Sequence, residues 1–224
     1  MKPVIALNLK VYKESLGEKG LKLCQIAAEV ALLKGVRVIV APQAVDLAAS
    51  AKFHEDTYAQ HVDENQAGAF TGTITCEAIK EAGCRGSLVN HSEHRIPFER
   101  IEKTIARLNE LKLESILCTK DAAESADYVK RLGKNLPTFV AVEPPELIGS
   151  GISVSTAKPE VVRDTVKKVK AVANVPVLCG AGVTTAADVK KAVQLGADGV
   201  LLASAYVKAK DPKELLMAMA QAIG

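Results

Sequence analysis

Aromatic residues are scarce in this chain: Phe, Trp and Tyr make up only 4% of its 224 residues and Trp is absent, although 48% are hydrophobic. We therefore expect a core of aliphatic strands and Ala-rich helices. No stretch has the length and freedom from charge of a membrane span, and the N-terminal MKPVIALNLK is charged too soon for a signal peptide. The small formal net charge of +3 gives no reason to expect nucleic acid or membrane binding.

Paired cysteines and glycine-rich nucleotide motifs are also missing. The five cysteines are scattered, odd in number and without a Cys-x-x-Cys pair, which argues against a disulfide framework or a zinc site. We expect reduced, mostly buried thiols in a cytoplasmic protein. No Gly-x-Gly-x-x-Gly or P-loop opens a turn between a predicted strand and helix, which argues against a nucleotide cofactor.

The chain does contain a repeating alternation of short apolar runs and longer segments with helical spacing. Each run is followed by a helical segment, and the second and third of these segments look short. The runs are apolar almost throughout, as in a parallel sheet that is covered on both faces. The eight predicted strands are Val4–Asn8, Val36–Val40, Thr57–His61, Gly86–Asn90, Ser115–Cys118, Phe139–Val142, Val175–Cys179 and Gly199–Ala203.

This alternation has no composition break or long linker, and it predicts one α/β domain over residues 1–224, a closed (β/α)8 barrel. An open, doubly wound sheet is the alternative, because periodicity alone does not prove closure. In a (β/α)8 barrel the chemistry lies at the carboxyl ends of the strands. Polar residues at those ends are therefore the candidates for a functional site.

The first candidates, Asn8 and Lys10, end the first predicted strand. They are two residues apart, so on an extended chain their side chains point the same way. A Lys aimed into a barrel mouth is costly unless it meets an anion. The alternative is a Lys that turns out to solvent after the strand.

The fourth predicted strand ends in six consecutive polar residues, 90–95. His91 is the first candidate there, because a helix that started at this point would disfavour its cationic form and leave a neutral hydrogen-bond donor. Ser92 is a candidate cap for the following turn, and Glu93 is a candidate partner for a cation such as Lys10. A solvated capping segment is the alternative.

The sixth predicted strand ends at Glu143, where an apolar strand emerges and a carboxylate would be half shielded, as a general base requires. Pro144 and Pro145 restrict one side of the following loop, while Gly149 and Gly151 leave the other side mobile. This composition is typical of a lid that closes over a small ligand. An ordinary exposed loop with an incidental Glu is the alternative.

Small residues follow the seventh and eighth predicted strands: Gly180, Gly182, Ala203 and Ser204. They allow backbone N–H groups to approach an anion closely, and these two loops are the frequent phosphate site of (β/α)8 barrels. The alternative is a pair of tight turns that need small residues for geometry alone.

Together these motifs resemble the triosephosphate isomerase family over essentially the whole chain. The chain is shorter than the common bacterial and eukaryotic form and is similar to the archaeal branch of the family. The resemblance rests on Asn8-Leu9-Lys10, on His91-Ser92-Glu93, and on Val142-Glu143-Pro144 running to Ile148-Gly149-Ser150-Gly151. Supporting matches are Tyr58-Ala59-Gln60, Gly68-Ala69-Phe70-Thr71-Gly72 and Cys179-Gly180-Ala181-Gly182.

The chain also departs from the common family pattern. Asn90 stands where Gly is usual, and Gly182 replaces a Ser. The lid begins with Pro144-Pro145-Glu146-Leu147, where the common form of the family carries a Trp. Ala203-Ser204 stands where the common form has two glycines. These differences concern the lid and the phosphate loops more than the chemistry.

The resemblance implies a TIM barrel that interconverts dihydroxyacetone phosphate and D-glyceraldehyde 3-phosphate through an enediolate, a step of glycolysis and gluconeogenesis, with no metal or organic cofactor. It implies Glu143 as the base, His91 as the electrophile and Lys10 as the cation that balances the phosphate. Glu93 and Ser92 would support them. The substrate-binding residues that it implies are Asn8, Leu9, Lys10, Ile148, Gly149, Ser150, Gly180, Gly182, Ala203 and Ser204. It also implies a homo-oligomer, at least a dimer, with the archaeal branch tending toward tetramers.

Two other functions remain open on the sequence alone. A Schiff-base aldolase would need a Lys near the middle of a strand, and no apolar run after the first carries one. A non-catalytic phosphate-binding barrel would be expected to lack at least one of Lys10, His91 and Glu143, and all three are present.

Overall fold

The computed structural model describes residues 3–144 and 154–223. Within these ranges eight strands alternate with helices, and no helix combines the length and the apolar character needed to cross a membrane. The strands are β1 (Val4–Asn8), β2 (Arg37–Ala41), β3 (Tyr58–Ala59), β4 (Gly86–Val89), β5 (Glu114–Thr119), β6 (Phe139–Val142), β7 (Val177–Cys179) and β8 (Gly199–Leu202). The helices are α1 (Glu18–Lys34), α2 (Leu47–Ala51), α3 (Cys76–Glu81), α4 (Phe98–Glu110), α5 (Ala122–Leu132), α6 (Val154–Ala157), α7 (Pro159–Val172), α8 (Ala186–Gln194), α9 (Ser204–Val207) and α10 (Pro212–Ile223).

The eight strands form one parallel sheet in the order β2-β1-β8-β7-β6-β5-β4-β3. In β1, Ala6 lies opposite Ile39 of β2 on one side and Leu201 of β8 on the other. The two ends of the sheet meet at a parallel bridge between Val40 and Thr57. This bridge brings the sheet nearly to closure, so the prediction of a (β/α)8 barrel is confirmed and the open sheet is excluded.

The seam between β2 and β3 is completed by a side chain. β3 has only two residues, whereas the sequence pattern predicts five, so that prediction of strand length was wrong. Gln60 follows β3, and its Nε2 donates to the backbone oxygens of Ala41 and of Lys10, each at 3.0 Å. This amide takes the place of a longer backbone ladder and links the seam to the end of β1.

Alternation along the strands builds two layers of core. In β1, Val4 and Ala6 face the barrel interior, while Ile5 and Leu7 belong to the layer between the sheet and the surrounding helices. Asn8 is the next inward position and is 4% exposed, so it lies on top of the apolar interior. The interior is filled by Val4, Ala6, Ile39, Ala41, Tyr58, Leu88, Ile116, Cys118, Phe139, Ala141, Leu178 and Leu201.

Proline and glycine mark several helix ends. Pro159 and Pro212 begin α7 and α10, positions where the missing N–H of proline costs nothing. α1 ends at Gly35, which has a φ of 62° that most side chains resist. The second and third helical segments are short, as predicted, and all five cysteines are buried and unpaired.

Charged side chains close the amino-terminal end of the barrel. Arg37 donates to Asp56 at 2.7 Å and to Glu114 at 2.6 Å, and the Tyr58 hydroxyl also donates to Glu114. Burial opposes ionisation of Glu114, but the hydrogen bonds from Tyr58 and Arg37 outweigh it and lower the pKa of that carboxyl. With this end closed, the interior is accessible from the carboxyl ends of the strands.

Candidate active site

A cavity of about 530 Å³, including its open mouth, lies at the carboxyl ends of the strands. It brings together residues from β1, β4, β6, β7 and β8, which lie far apart in the sequence. Polar and small residues dominate its wall. Its lining is Asn8, Lys10, Tyr12, His91, Glu143, Gly180, Ala181, Gly182, Val183, Thr184, Leu201, Leu202, Ala203 and Ser204.

Lys10 is held in an unusual backbone conformation. Its φ is 47°, in the left-handed region that residues other than glycine rarely occupy. The Lys10 N–H donates to Asn8 Oδ1 at 3.0 Å, and the Lys10 carbonyl accepts from Gln60 Nε2 at the same distance. These two bonds stabilise a conformation that would otherwise cost of the order of 1–3 kcal/mol. They fix the point from which the Lys10 side chain enters the cavity.

The Lys10 side chain forms the predicted ion pair with Glu93. Nζ lies 2.7 Å from Oε1, and the Lys10 side chain is 14% exposed whereas that of Glu93 is 55% exposed. Because Glu93 is largely solvated, the pair contributes little to stability. Its effect is to direct the ammonium group across the cavity mouth.

Asn90 sets the geometry of the loop that carries His91. Its φ is 63°, which explains why the family usually has glycine there, since Asn tolerates this region better than most residues. The Asn90 amide donates to the carbonyl of Cys118 at 2.9 Å, and its Oδ1 accepts from the Ile96 N–H at 3.0 Å. The loop is thereby fixed to β5 and closed on itself.

His91 lies at the start of a turn, not of a helix, because α4 begins only at Phe98. The predicted helix N-terminus at His91 is therefore wrong. The position of the proton on the His91 ring is determined instead by Glu93, whose backbone N–H donates to His91 Nδ1 at 3.2 Å. An Nδ1 that accepts carries no proton, so the neutral ring holds its proton on Nε2. That Nε2 lies 3.2 Å from Glu143 Oε1.

Glu143 is a buried carboxylate at the end of β6, only 3% exposed. Its backbone N–H donates to Thr119 at 2.7 Å, and its Oε2 lies 3.4 Å from the Ser92 N–H. The Ser92 hydroxyl is buried and has no partner among the described residues, so the predicted cap is wrong. Burial and then the adjacent negative charge of Glu143 raise the pKa of the Cys118 thiol.

Gly180 leaves the space that Glu143 occupies. A Cβ at this position would lie 2.8 Å from Cγ of Glu143 and 3.0 Å from the carbonyl oxygen of Val142. The Gly180 N–H donates to that same carbonyl at 3.0 Å. Glycine is therefore required here by close approach.

The loops after β7 and β8 present backbone groups to the opposite wall of the cavity. Gly182 has a φ of 65°, which suits glycine where the family usually has Ser. The N–H groups of Gly182, Val183 and Ser204 have no hydrogen-bond partner among residues 3–144 and 154–223. Unpaired N–H groups of this kind at a cavity wall suit an anion.

Asp188 holds the second half of the loop after β7. Its Oδ2 accepts from the Thr184 N–H at 3.1 Å and from the Thr185 N–H at 2.9 Å. Burial opposes ionisation of Asp188, but these donors outweigh it and lower the pKa of the carboxyl. The loop is thus fixed at Thr184 while its Gly182 end faces the cavity.

Most of the predicted residues that the structure describes line this cavity, namely Asn8, Lys10, His91, Glu143, Gly180, Gly182, Ala203 and Ser204. Ser92 and Glu93 contact lining residues from outside it, whereas Leu9 points elsewhere. Leu9 is fully buried in the core on the outer side of the sheet, because alternation sends its side chain away from Asn8 and Lys10. The Leu9 side chain therefore does not line the cavity. Ile148, Gly149 and Ser150, with the lid start at Pro145, Glu146 and Leu147, lie outside the described residues.

Other residues at the site were not predicted. Tyr12 lines the cavity, and its spacing of two from Lys10 is a signal that the sequence contains. Gln60 and Cys118 contact the site residues through pairings that span the barrel, which no local pattern reveals. Among the described residues, no three His, Cys, Asp or Glu side chains are placed to hold a metal ion together.

The sequence was compared with protein-family models and with known proteins. The family model described as triosephosphate isomerase matches residues 3–222. The chain belongs to the triosephosphate isomerase family. It is 51% identical over 217 residues to the triosephosphate isomerase of Methanothermus fervidus, which covers 96% of each chain.

Other archaeal members of the triosephosphate isomerase family are similar over comparable lengths. The chain is 49% identical to the triosephosphate isomerase of Archaeoglobus fulgidus over 215 residues, 95% of each chain. It is 47% identical to that of Methanocaldococcus jannaschii over 215 residues, 95% of this chain and 96% of that protein. The resemblance to the archaeal branch of the family is therefore confirmed.

Proposed function

We propose that the protein interconverts dihydroxyacetone phosphate and D-glyceraldehyde 3-phosphate, as an enzyme of glycolysis and gluconeogenesis. The observation that carries this proposal is the pairing of a buried carboxylate with a neutral imidazole donor. Glu143 Oε1 and His91 Nε2 lie 3.2 Å apart at one wall of a cavity that is open to solvent. A base and a donor side by side suit a substrate whose C–H and carbonyl are adjacent.

The reaction follows from these two groups. With the substrate in the cavity, Glu143 removes a proton from the carbon next to the carbonyl. The Nε2–H of His91 donates a hydrogen bond to the carbonyl oxygen, which stabilises the negative charge of the enediolate as it develops. Glu143 then returns the proton to the neighbouring carbon. The hydroxyl proton passes from its own oxygen to the former carbonyl oxygen, so the carbonyl and the hydroxyl exchange carbons and no atom is gained or lost.

Lys10 and the loops after β7 and β8 supply the positive side of the proposed site. The Lys10 ammonium, directed by Glu93 at 2.7 Å, faces the cavity from β1. The N–H groups of Gly182 and Ser204, which have no partner within the described ranges, lie on the wall formed by the ends of β7 and β8. We propose that the substrate phosphate lies against this wall, with its reacting carbons toward Glu143.

Two features weigh against the other functions considered. No Lys occurs in any of the eight strands that the structure describes, so a Schiff-base aldolase has no amine in the barrel interior. A merely phosphate-binding barrel would not need the contact between His91 and Glu143. We further propose that the chain is a single cytoplasmic domain and assembles as a homo-oligomer, either a dimer or a tetramer of four chains.

A coupled assay with each triose phosphate as sole substrate tests the proposed function. We expect turnover in both directions without added metal or organic cofactor. Absence of turnover in either direction from folded protein would overturn the proposal.

Titration with a phosphate-bearing enediolate mimic, measured by calorimetry, tests the role of Lys10 in binding. Lys10→Ala should weaken this binding, and unchanged affinity would remove Lys10 from the site.

A further inference from the structure

Lys208 lies beside the cavity and has no carboxylate partner among residues 3–144 and 154–223. Its Nζ is 4.4 Å from the centroid of the Tyr12 ring, which is well within the range of a cation–π interaction. Its backbone N–H donates to the Ser204 carbonyl at 2.9 Å, so it lies one helical turn beyond the end of β8. Both Tyr12 and Ser204 line the cavity. The ammonium group is thus held at the rim on the side that the proposed function gives to phosphate.

The other charges at the mouth make this position significant. Lys10 is the one ammonium group in the described lining, and it is paired with Glu93. Glu143 adds a second carboxylate close by. Counting only the part of the chain that the structure describes, two carboxylates against one ammonium give the mouth an excess of negative charge, which repels an incoming phosphate dianion. A further cation at the rim would offset that repulsion.

Two lysines elsewhere on the barrel show the contrast. The Lys213 ammonium lies 2.5 Å from Glu29, and that of Lys170 lies 3.3 Å from Asp198, so both charges are largely neutralised. Lys208 has an aromatic ring in place of a carboxylate, and no ion pair of the described residues includes it. An aromatic ring orients a cation without cancelling its charge. The field of Lys208 therefore extends into the cavity.

Tyr12 is itself well anchored as the support for this cation. Its carbonyl accepts from both the N–H and the hydroxyl of Ser15, each at 3.0 Å. Its ring packs partly against the core between the sheet and the helices. The ring can therefore hold the Lys208 ammonium in one place at modest cost in side-chain entropy.

We propose that Lys208, oriented by the ring of Tyr12, is a positioning residue that attracts and retains the phosphate group of the substrate. This inference rests on the proposed function and adds a second cation to it. Because Lys208 is not placed at the reacting carbons, its charge should affect binding far more than the chemical step. The effect should also depend on salt, since exposed charges are screened over about 10 Å at 0.1 M ionic strength.

The test compares Lys208→Met with Lys208→Arg and with Lys210→Met, a matched control on an exposed lysine two residues further along. We expect Lys208→Met to raise KM by about threefold to tenfold with kcat within about twofold of wild type. The dependence of kcat/KM on ionic strength should become shallower. In Lys208→Arg, KM and the dependence of kcat/KM on ionic strength should both stay near their wild-type values, because Arg also stacks on aromatic rings. Lys210→Met should match the wild type.

Calorimetry with inorganic phosphate makes the outcome independent of turnover. We expect phosphate to bind Lys208→Met about threefold to tenfold more weakly than it binds Lys210→Met. Equal phosphate affinity and equal salt dependence in these two variants would overturn the inference. A fall in kcat as large as the rise in KM would also overturn it. Failure of the wild type to isomerise triose phosphates would instead refute the proposed function, and the phosphate titration would still decide on Lys208.

Discussion

His91 Nε2 lies 3.2 Å from Glu143 Oε1, and the Glu93 N–H donates to the other nitrogen of the same ring at 3.2 Å. The backbone donor fixes the tautomer, so the Nε2 proton is directed toward Glu143. A carboxylate and a neutral donor that share one wall can act on adjacent atoms of a single substrate. The turn at residues 91–94 therefore determines the chemistry as much as the two side chains do.

His91→Gln removes the fixed imidazole donor. Gln can donate an N–H, but it lacks the Nδ1 acceptor that the Glu93 N–H orients. We expect kcat to fall by about 10²- to 10³-fold, the effect of losing one donor to a developing oxyanion. KM should change much less. Steady-state kinetics checks this, with circular dichroism as the control for folding, and a kcat near that of the wild type would contradict the role of His91.

Gly180→Ala places a methyl group 2.8 Å from Cγ of Glu143. Either Glu143 or the strand end must shift, so we expect a marked loss of kcat and a loss of stability of about 1–3 kcal/mol. Gly68→Ala is the matched control, because the nearest atom to its new Cβ is 3.6 Å away, an ordinary contact. Kinetics and thermal denaturation of both variants test this. Equal behaviour of the two would show that close packing at Gly180 has no effect on Glu143.

His54 makes stability dependent on pH. It is buried, its Nε2 lies 2.5 Å from the carbonyl oxygen of Val38, and burial lowers its pKa from the ordinary 6.5. The folded state keeps the ring neutral whereas the unfolded chain binds a proton near pH 6.5. Stability is therefore full above that pH and is lost as the pH falls below it.

We expect Tm to drop between about pH 7.5 and about pH 5.5, above the range in which carboxylates titrate. Burial also lowers the pKa of His61, so part of the drop belongs to that residue. His54→Gln keeps an N–H for Val38 and does not titrate, so its Tm should fall less over the same interval. Differential scanning calorimetry of both proteins checks this. An identical fall in both would mean that His54 does not contribute.

Strand positions were largely predictable because apolar runs covered on both faces are distinctive. β1 and β6 match their predicted runs at both ends. β3 was predicted too long because the Gln60 side chain completes the seam, and such a contact across the sheet leaves no local pattern. Successive side chains of a strand point to opposite faces of the sheet, so Asn8 and Lys10 were expected on the same side, and both line the cavity. The same rule directs the Leu9 side chain away from the cavity.

Site details depended on contacts that the sequence does not encode locally. The neutral form of His91 was predicted from a helix start, yet it arises from the Glu93 N–H in a turn. The contact between Lys208 and Tyr12 joins the two ends of the chain through the neighbouring strands β1 and β8, so only the closed barrel reveals it.

Glu143→Gln is the most direct test of the central claim, that this buried carboxylate moves the substrate proton. Gln has nearly the same shape and retains a carbonyl oxygen toward the Ser92 N–H, so the fold and the binding of a phosphate-bearing ligand should persist. We predict that kcat falls by at least about 10²-fold in the coupled isomerase assay. Solvent deuterium should then enter the product correspondingly slowly. A folded Glu143→Gln variant with near-wild-type kcat would contradict the account.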